Sequence, residues 1–102
     1  MASQSIVNSR VVFADGTIRE MVIWELDTPV HGSGHRYKYR LFFGVPGKRL
    51  IGYDNERGKG DHRHVRGVEE LYEFRGLEQL VLDFWDDIDR WRATNPDTDD
   101  LG

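Results

Sequence analysis

The chain has 102 residues, of which 38% are hydrophobic, and a formal net charge of -4 at neutral pH. This length and apolar content fit one small domain with one core and exclude a two-domain protein. Cysteine is absent, which excludes disulfide bonds and thiolate chemistry. The sequence has no apolar run of membrane-spanning length and no secretion-signal pattern at its N-terminus. We therefore expect a cytoplasmic protein.

The first part of the chain predicts two strands and a loop. Val, Ile and Phe are frequent over residues 5–13, and the Asp15-Gly16 pair that follows is a strong hairpin signal. Residues 18–26 alternate in polarity and predict a second strand, with a mostly apolar even-numbered face and a partly apolar odd-numbered face. Residues 27–35 are rich in Pro, Gly and Ser, which predicts a loop.

Two further strands are predicted, joined by a Pro-Gly sequence that is typical of a type II turn. Over residues 36–43, tyrosines and apolar residues alternate with Lys38 and Arg40. We expect the rings to face the core and the two cations to face solvent. Residues 49–54 predict the fourth strand. Shorter extended segments are predicted over residues 65–68 and 71–74.

Residues 77–93 predict a helix that ends before Asn95-Pro96. One face is apolar at three- and four-residue spacing and consists of Leu77, Leu80, Val81, Phe84, Trp85, Ile88 and Trp91. The other face is largely charged and consists of Asp83, Asp86, Asp87, Asp89 and Arg90. The elements together predict an α+β fold, an antiparallel meander of four to five strands packed on one long C-terminal helix. Residues 1–94 are expected to form this single domain, and residues 95–102 an acidic, disordered tail.

Charge is divided unevenly along the chain. Residues 36–66 contain nine Lys and Arg residues and three acidic residues, whereas the rest contains five basic and fifteen acidic residues. A basic region within an acidic protein indicates a polyanionic ligand bound at one place. The alternative is that Lys and Arg only line the solvated face of two strands.

Residues 53–64, with the sequence Y-D-N-E-R-G-K-G-D-H-R-H, carry the strongest functional signal. On an extended strand, His62 and His64 point to the same face. One imidazole is suited to take a proton and the other to give one, while nearby cations stabilise a phosphate. This pattern predicts cleavage of RNA through activation of the 2′-hydroxyl and protonation of the leaving oxygen, without a metal. Asp54 or Asp61 is expected to orient one imidazole.

Other residues of this segment are candidates for contacting substrate. Lys59 is assigned to catalysis with the histidines and Asp54, because its charge would neutralise the transition state. The remaining predicted contacts are Tyr53, Asn55, Arg57, Gly58, Gly60 and Arg63. The glycines are expected to let the backbone curl toward a ligand. No metal or other cofactor is expected.

Alternatives remain for the same residues. His-x-His is also a common metal-ligand spacing, which Asp54 or Asp61 would complete. A non-enzymatic module that binds nucleic acid or a partner protein would use the same charges, as would a nucleotide-modifying enzyme. The plainest interpretation is two surface histidines in a polar loop. His31 and His35 would join the motif only if their loop folded over it, and a flexible hairpin tip is the simpler expectation.

Two stretches resemble the TumE family of toxins from prokaryotic toxin–antitoxin pairs. They are residues 39–64, Y-R-L-F-F-G-V-P-G-K-R-L-I-G-Y-D-N-E-R-G-K-G-D-H-R-H, and residues 72–88, Y-E-F-R-G-L-E-Q-L-V-L-D-F-W-D-D-I. The family motif would fall on Asp54, Asn55, Gly58, Lys59, Gly60, His62 and His64. The resemblance implies a small growth-inhibiting toxin encoded beside a helix-turn-helix antitoxin. With the chemistry above, it predicts a ribonuclease toxin, which would act as a monomer or as a homodimer.

Overall fold

The computed structural model describes residues 3–56 and 58–95. In this part of the chain six antiparallel strands pair in chain order, and one helix follows them. The strands are β1 (Ser3–Val12), β2 (Ile18–Leu26), β3 (Tyr37–Val45), β4 (Lys48–Asp54), β5 (His62–Val65) and β6 (Val68–Leu71), and the helix is α1 (Leu77–Thr94). The predicted α+β meander is confirmed, with a slightly higher strand count. The predicted tail lies almost wholly outside the described residues.

The additional strand arises from a tight hairpin in the segment where two short extended pieces were predicted. Arg66 and Gly67 have φ angles of 52° and 79°, as both central residues of a type I′ turn require. The turn therefore falls inside the predicted segment 65–68. It divides the region into β5 and β6, so that Val65 pairs with Val68.

α1 covers one face of the sheet, which we call the covered face. Its central contacts join Leu80, Phe84 and Ile88 of the helix to odd-numbered side chains of β2, β3 and β4. These strand residues are Met21, Ile23, Tyr39, Leu41, Phe43, Ile51 and Tyr53. The opposite face, which we call the open face, carries the even-numbered side chains of β3 and β5 and has no helix over it in the described residues.

The predicted apolar even-numbered face of the second strand is not the core face. Met21 and Ile23 are buried, whereas Trp24 is 38% exposed. Both faces of this strand are apolar in composition, so the alternation alone does not decide which one is covered. Pairing with β3 decides it, because Ile23 lies opposite Tyr39 and Met21 lies opposite Leu41.

The helix confirms most of its predicted periodicity, with two exceptions. Trp85 was expected in the apolar face but is 43% exposed, and it lies near the guanidinium of Arg19. Asp87 was expected in solvent but is buried. It is held by hydrogen bonds from the side chains of Tyr53 and Arg63. No helix in the described part of the chain is long and apolar enough to cross a membrane.

Asp15, in the β1–β2 hairpin, ties this hairpin to the end of α1. Its side chain is 3% exposed and lies 2.7 Å from Nη1 of Arg92. The backbone and hydroxyl of Thr17 also donate to Asp15. Burial raises the pKa of the carboxyl, but the hydrogen bonds from Thr17 and Arg92 outweigh burial and hold the pKa below its ordinary value.

We expect Asp15→Asn to lower the free energy of unfolding at pH 7 by about 2 kcal/mol, the usual size for hydrogen bonds to a charged group. A carboxyl whose pKa is depressed by folding stabilises the protein above its unfolded pKa, and the contribution is lost as the pH falls through the folded pKa. The difference between wild type and variant should therefore shrink below about pH 4. Urea unfolding at several pH values measures it. Asp89→Asn, at an exposed site on α1, is the control, and an equal loss in both variants would contradict the assignment.

Candidate active site

β5 places His62 and His64 on the same face of the sheet, as their spacing predicted, and this is the open face. His62 pairs with Asp54 of β4, and His64 pairs with Gly52 of β4 and with Glu69 of β6. Directly paired residues point to the same side of a sheet. The side chains therefore converge in an open cleft of about 570 Å³. Its lining residues are Arg49, Asp54, Glu56, Lys59, His62, His64 and Glu69.

Arg49 and Glu69 contact the two ring nitrogens of His64. Nη2 of Arg49 donates to Nδ1 at 3.0 Å, so the neutral ring carries its proton on Nε2. This Nε2 lies 3.2 Å from Oε2 of Glu69 and 3.9 Å from Oδ2 of Asp54. Two carboxylates therefore lie beside the ring nitrogen that carries the proton. His64 is therefore in a suitable place to give a proton.

His62 has the complementary arrangement. Its Nε2 donates to the carbonyl oxygen of Lys59 at 2.7 Å, which leaves the lone pair of the neutral ring on Nδ1. Among the described residues this buried Nδ1 has no hydrogen-bond partner, and it lies 3.7 Å from Oε1 of Glu69. The lone pair on this nitrogen makes His62 the ring that is suited to accept a proton.

Gly52 makes the contact between Arg49 and His64 possible. A Cβ atom at Gly52 would lie 2.6 Å from Cδ of Arg49, well inside van der Waals contact. The arginine side chain therefore crosses β4 directly over this glycine to reach the imidazole on β5. Sequence reasoning missed both Arg49 and Glu69, because only the strand register places them beside the histidines.

Tyr53 and Arg63 lie away from the histidines, on the covered face. Tyr53 is 1% exposed, and its hydroxyl donates to Asp87. Burial, together with this hydrogen bond, raises the pKa of Tyr53 well above its ordinary value. Nε and Nη2 of Arg63 donate to the two oxygens of Asp87 at 2.9 and 2.7 Å. The alternation that puts His62 and His64 on the open face puts Arg63 on the other.

The loop before β5 is packed against the β2–β3 loop. The backbone N–H of Gly58 donates to the carbonyl of His31 at 2.7 Å, and a Cβ at Gly60 would lie 3.2 Å from the carbonyl oxygen of Gly32. Both motif glycines have positive φ angles, which favour glycine. In this arrangement their role is close packing between loops.

Other motif residues have distinct places. Asn55 is fully buried; its Oδ1 accepts from the backbone of Tyr39, and its Nδ2 donates to the carbonyl of Tyr37. It thus continues the β3–β4 pairing beyond the end of β4. Lys59 is 70% exposed and lies 3.2 Å from a carboxylate oxygen of Glu56. Arg57 lies outside the described residues.

Asp61 orients His35 and not either motif histidine. Its Oδ2 accepts from Nε2 of His35 at 2.8 Å and from the hydroxyl of Tyr39 at 2.6 Å. Nδ1 of His35 accepts from the backbone of Tyr37, and Phe74 stacks on the ring at 3.8 Å. The β2–β3 loop, expected as a flexible tip, is therefore tied to the motif.

The fold and the cleft define a small α+β protein with a cluster of histidines, carboxylates and cations on the open face of a single sheet. Within residues 3–56 and 58–95, no three His, Asp or Glu side chains are arranged to hold a metal ion. The family model described as Toxin TumE matches residues 2–92, and the chain belongs to this family. It is therefore a toxin of a toxin–antitoxin system and has an antitoxin as partner. No curated protein and no solved structure matches the chain.

Proposed function

We propose that this toxin is a metal-independent ribonuclease that uses His62 as general base and His64 as general acid. Support comes from the unequal surroundings of the two rings. Nδ1 of His62 has no hydrogen-bond partner in the described part of the chain, whereas Nε2 of His64 lies close to the carboxylates of Glu69 and Asp54. Two titratable groups with different surroundings are the usual basis for separate acid and base roles.

In the proposed reaction, His62 takes the proton of a ribose 2′-hydroxyl. The 2′-oxygen then bonds to the adjacent phosphorus, and the bond from phosphorus to the 5′-oxygen breaks. His64, as imidazolium, gives its proton to that leaving oxygen. The products are a 2′,3′-cyclic phosphate and a free 5′-hydroxyl, and the two histidines end in exchanged protonation states. No other reactant enters this step.

The cations of the cleft would stabilise the phosphate. Arg49 already lies against His64, and a phosphate in the cleft would compete for its guanidinium. That exchange would free Nδ1 of His64 for protonation. Lys59 is exposed at the cleft, and we propose that Arg57 contributes a further positive charge. The antitoxin, in our proposal, is a helix-turn-helix protein encoded beside the toxin.

The proposal is tested by RNA end mapping. The wild-type protein is expressed in a bacterial host, the new RNA ends are sequenced, and the cleavage is repeated with purified protein in EDTA. New ends with a cyclic phosphate on one side and a hydroxyl on the other, made equally well in EDTA, are the expected result. Loss of cleavage in EDTA would favour a metal-dependent nuclease. Growth arrest without new ends would contradict the nuclease and favour group transfer or binding.

Glu69 is expected to act as a positioning residue through the two histidines. Glu69→Gln keeps the shape of the side chain but removes its charge. We expect the cleavage rate to fall roughly tenfold, as for loss of a charged interaction worth about 1.5 kcal/mol. The fall should lie in the single-turnover rate and not in a loss of RNA affinity, because Glu69 is expected to act on the two histidines and not on the phosphate.

Glu70→Gln is the matched control for Glu69→Gln. Glu70 is the next residue of β6 and has a similar exposure, 53% against 57% for the side chain. It faces the other side of the sheet and pairs with Arg63. An unchanged single-turnover rate for Glu69→Gln, or an equal loss of rate in both variants, would remove Glu69 from the proposed mechanism.

A further inference from the structure

Trp24 is an unusual side chain on the open face. It lies on β2, within the sheet, and is 38% exposed. Its partner across the β2–β3 pair is Lys38, and Val22 in the same way lies opposite Arg40. These side chains line a second cleft of about 290 Å³, which continues to Asp54. A flat aromatic ring thus stands beside two cations on the same sheet face as the histidines.

The second cleft adjoins the histidine cleft. Asp54 and Glu56 line both, and the register runs directly across the sheet from Val22 through Arg40 and Asp54 to His62. Neighbouring strands lie about 4.8 Å apart, so this row is roughly 14 Å long. An extended ligand whose reacting phosphate lies at the histidines would cross the strands and reach Trp24.

The cations of this cleft are available for a ligand. Within residues 3–56 and 58–95, neither Lys38 nor Arg40 forms an ion pair, although Arg10 and Arg36 elsewhere on the sheet pair with Glu20 and Glu25. Unpaired cations beside an exposed ring are the combination that single-stranded nucleic acids recognise, with bases stacked on rings and phosphates held by charge.

We propose that the cleft at Trp24 binds a nucleobase of single-stranded RNA, stacked on the indole ring, while Lys38 and Arg40 hold the adjoining phosphates. This inference rests on the proposed ribonuclease function and names a binding subsite for its substrate. It gives the enzyme a contact with the RNA strand away from the reacting phosphate. Base stacking tolerates any base, so the subsite selects single strands more than sequences.

The test is binding of a short single-stranded oligonucleotide with 2′-O-methyl riboses, which cannot be cleaved through the 2′-oxygen. Trp24→Ala is expected to weaken binding by roughly 5- to 150-fold, the equivalent of about 1–3 kcal/mol for one stacked base. Trp85→Ala is the matched control, because Trp85 is similarly exposed but lies on α1. The slope of log affinity against log salt concentration is negative for nucleic-acid binding. Lys38→Ala and Arg40→Ala should each make this slope shallower by about 0.7, as loss of one phosphate contact does.

The outcomes separate this inference from the ribonuclease proposal. Binding that depends on Trp24 without any cleavage of ordinary RNA would support the subsite and overturn the nuclease. Cleavage by the wild type with equal affinity for Trp24→Ala and Trp85→Ala would support the nuclease and overturn the subsite. If neither binding nor cleavage occurs but Trp24→Ala abolishes complex formation with the antitoxin, the cleft is a protein-docking surface and the subsite is wrong.

Discussion

Replacing either His62 or His64 with alanine is expected to lower the rate of RNA cleavage by roughly 10²- to 10⁴-fold, the usual contribution of general acid–base catalysis. Growth inhibition should be lost with it. The double variant should be little slower than either single variant, because an acid and a base that act in one step are not additive. Single-turnover cleavage of one purified RNA measures the three rates.

His31→Ala is the control for these variants. His31 is exposed in the β2–β3 loop, and its backbone carbonyl, which the substitution keeps, is what bonds Gly58. It should retain wild-type cleavage and toxicity. Circular dichroism and thermal melting must show all variants folded. If His62→Ala and His64→Ala are both folded and both fully active, the two-histidine mechanism is wrong.

Asp87→Ala is expected to reduce the free energy of unfolding by about 3–5 kcal/mol, as removal of one partner from a buried ion pair generally does. The side chain of Asp87 is 5% exposed and binds Arg63 in bidentate fashion. Its hydrogen bonds raise the pKa of Arg63 above its ordinary value. Without Asp87 the arginine still stays charged, because a guanidinium is not deprotonated in proteins. Tyr53 also loses its acceptor. The melting temperature should fall by at least about 12 °C for a domain of this size.

Asp86→Ala is the matched control for this prediction. Asp86 is the preceding residue of α1 and pairs with Arg90 at an exposed position, where ion pairs contribute roughly 0–1 kcal/mol. Differential scanning calorimetry compares the two variants directly. A similar melting temperature for Asp86→Ala and Asp87→Ala would show that the Arg63–Asp87 pair is not a main support of the helix.

The meander and its helix were predictable because their signals are local. Strand periodicity, the Asp15-Gly16 and Pro46-Gly47 turns and the apolar stripe of α1 each depend on a few adjacent residues. The common direction of His62 and His64 was predictable for the same reason, since alternation along one strand fixes it. The class of fold and the centre of the candidate site both follow from such short-range patterns.

The rest depends on pairings between distant residues. β2 is apolar on both sides, so only its register with β3 sends Trp24 to the open face. The helix periodicity predicts that Asp87 faces solvent, and only its contacts with Arg63 and Tyr53 explain its burial. Glu69 lies beside His64 only because the turn at Arg66 and Gly67 pairs β6 with β5. The short apolar segments predicted in this region did not indicate that turn.

The position of α1 after all six strands has a consequence for synthesis of the toxin. Each strand pairs with its neighbour in sequence, so the strands can begin to pair while the chain leaves the ribosome. Leu41 and Phe43, however, pack in one core with Leu80 and Phe84, which are translated after all six strands. Until α1 emerges, the covered face of the nascent sheet is an exposed apolar surface. Chains whose translation stops before the helix are therefore expected to aggregate.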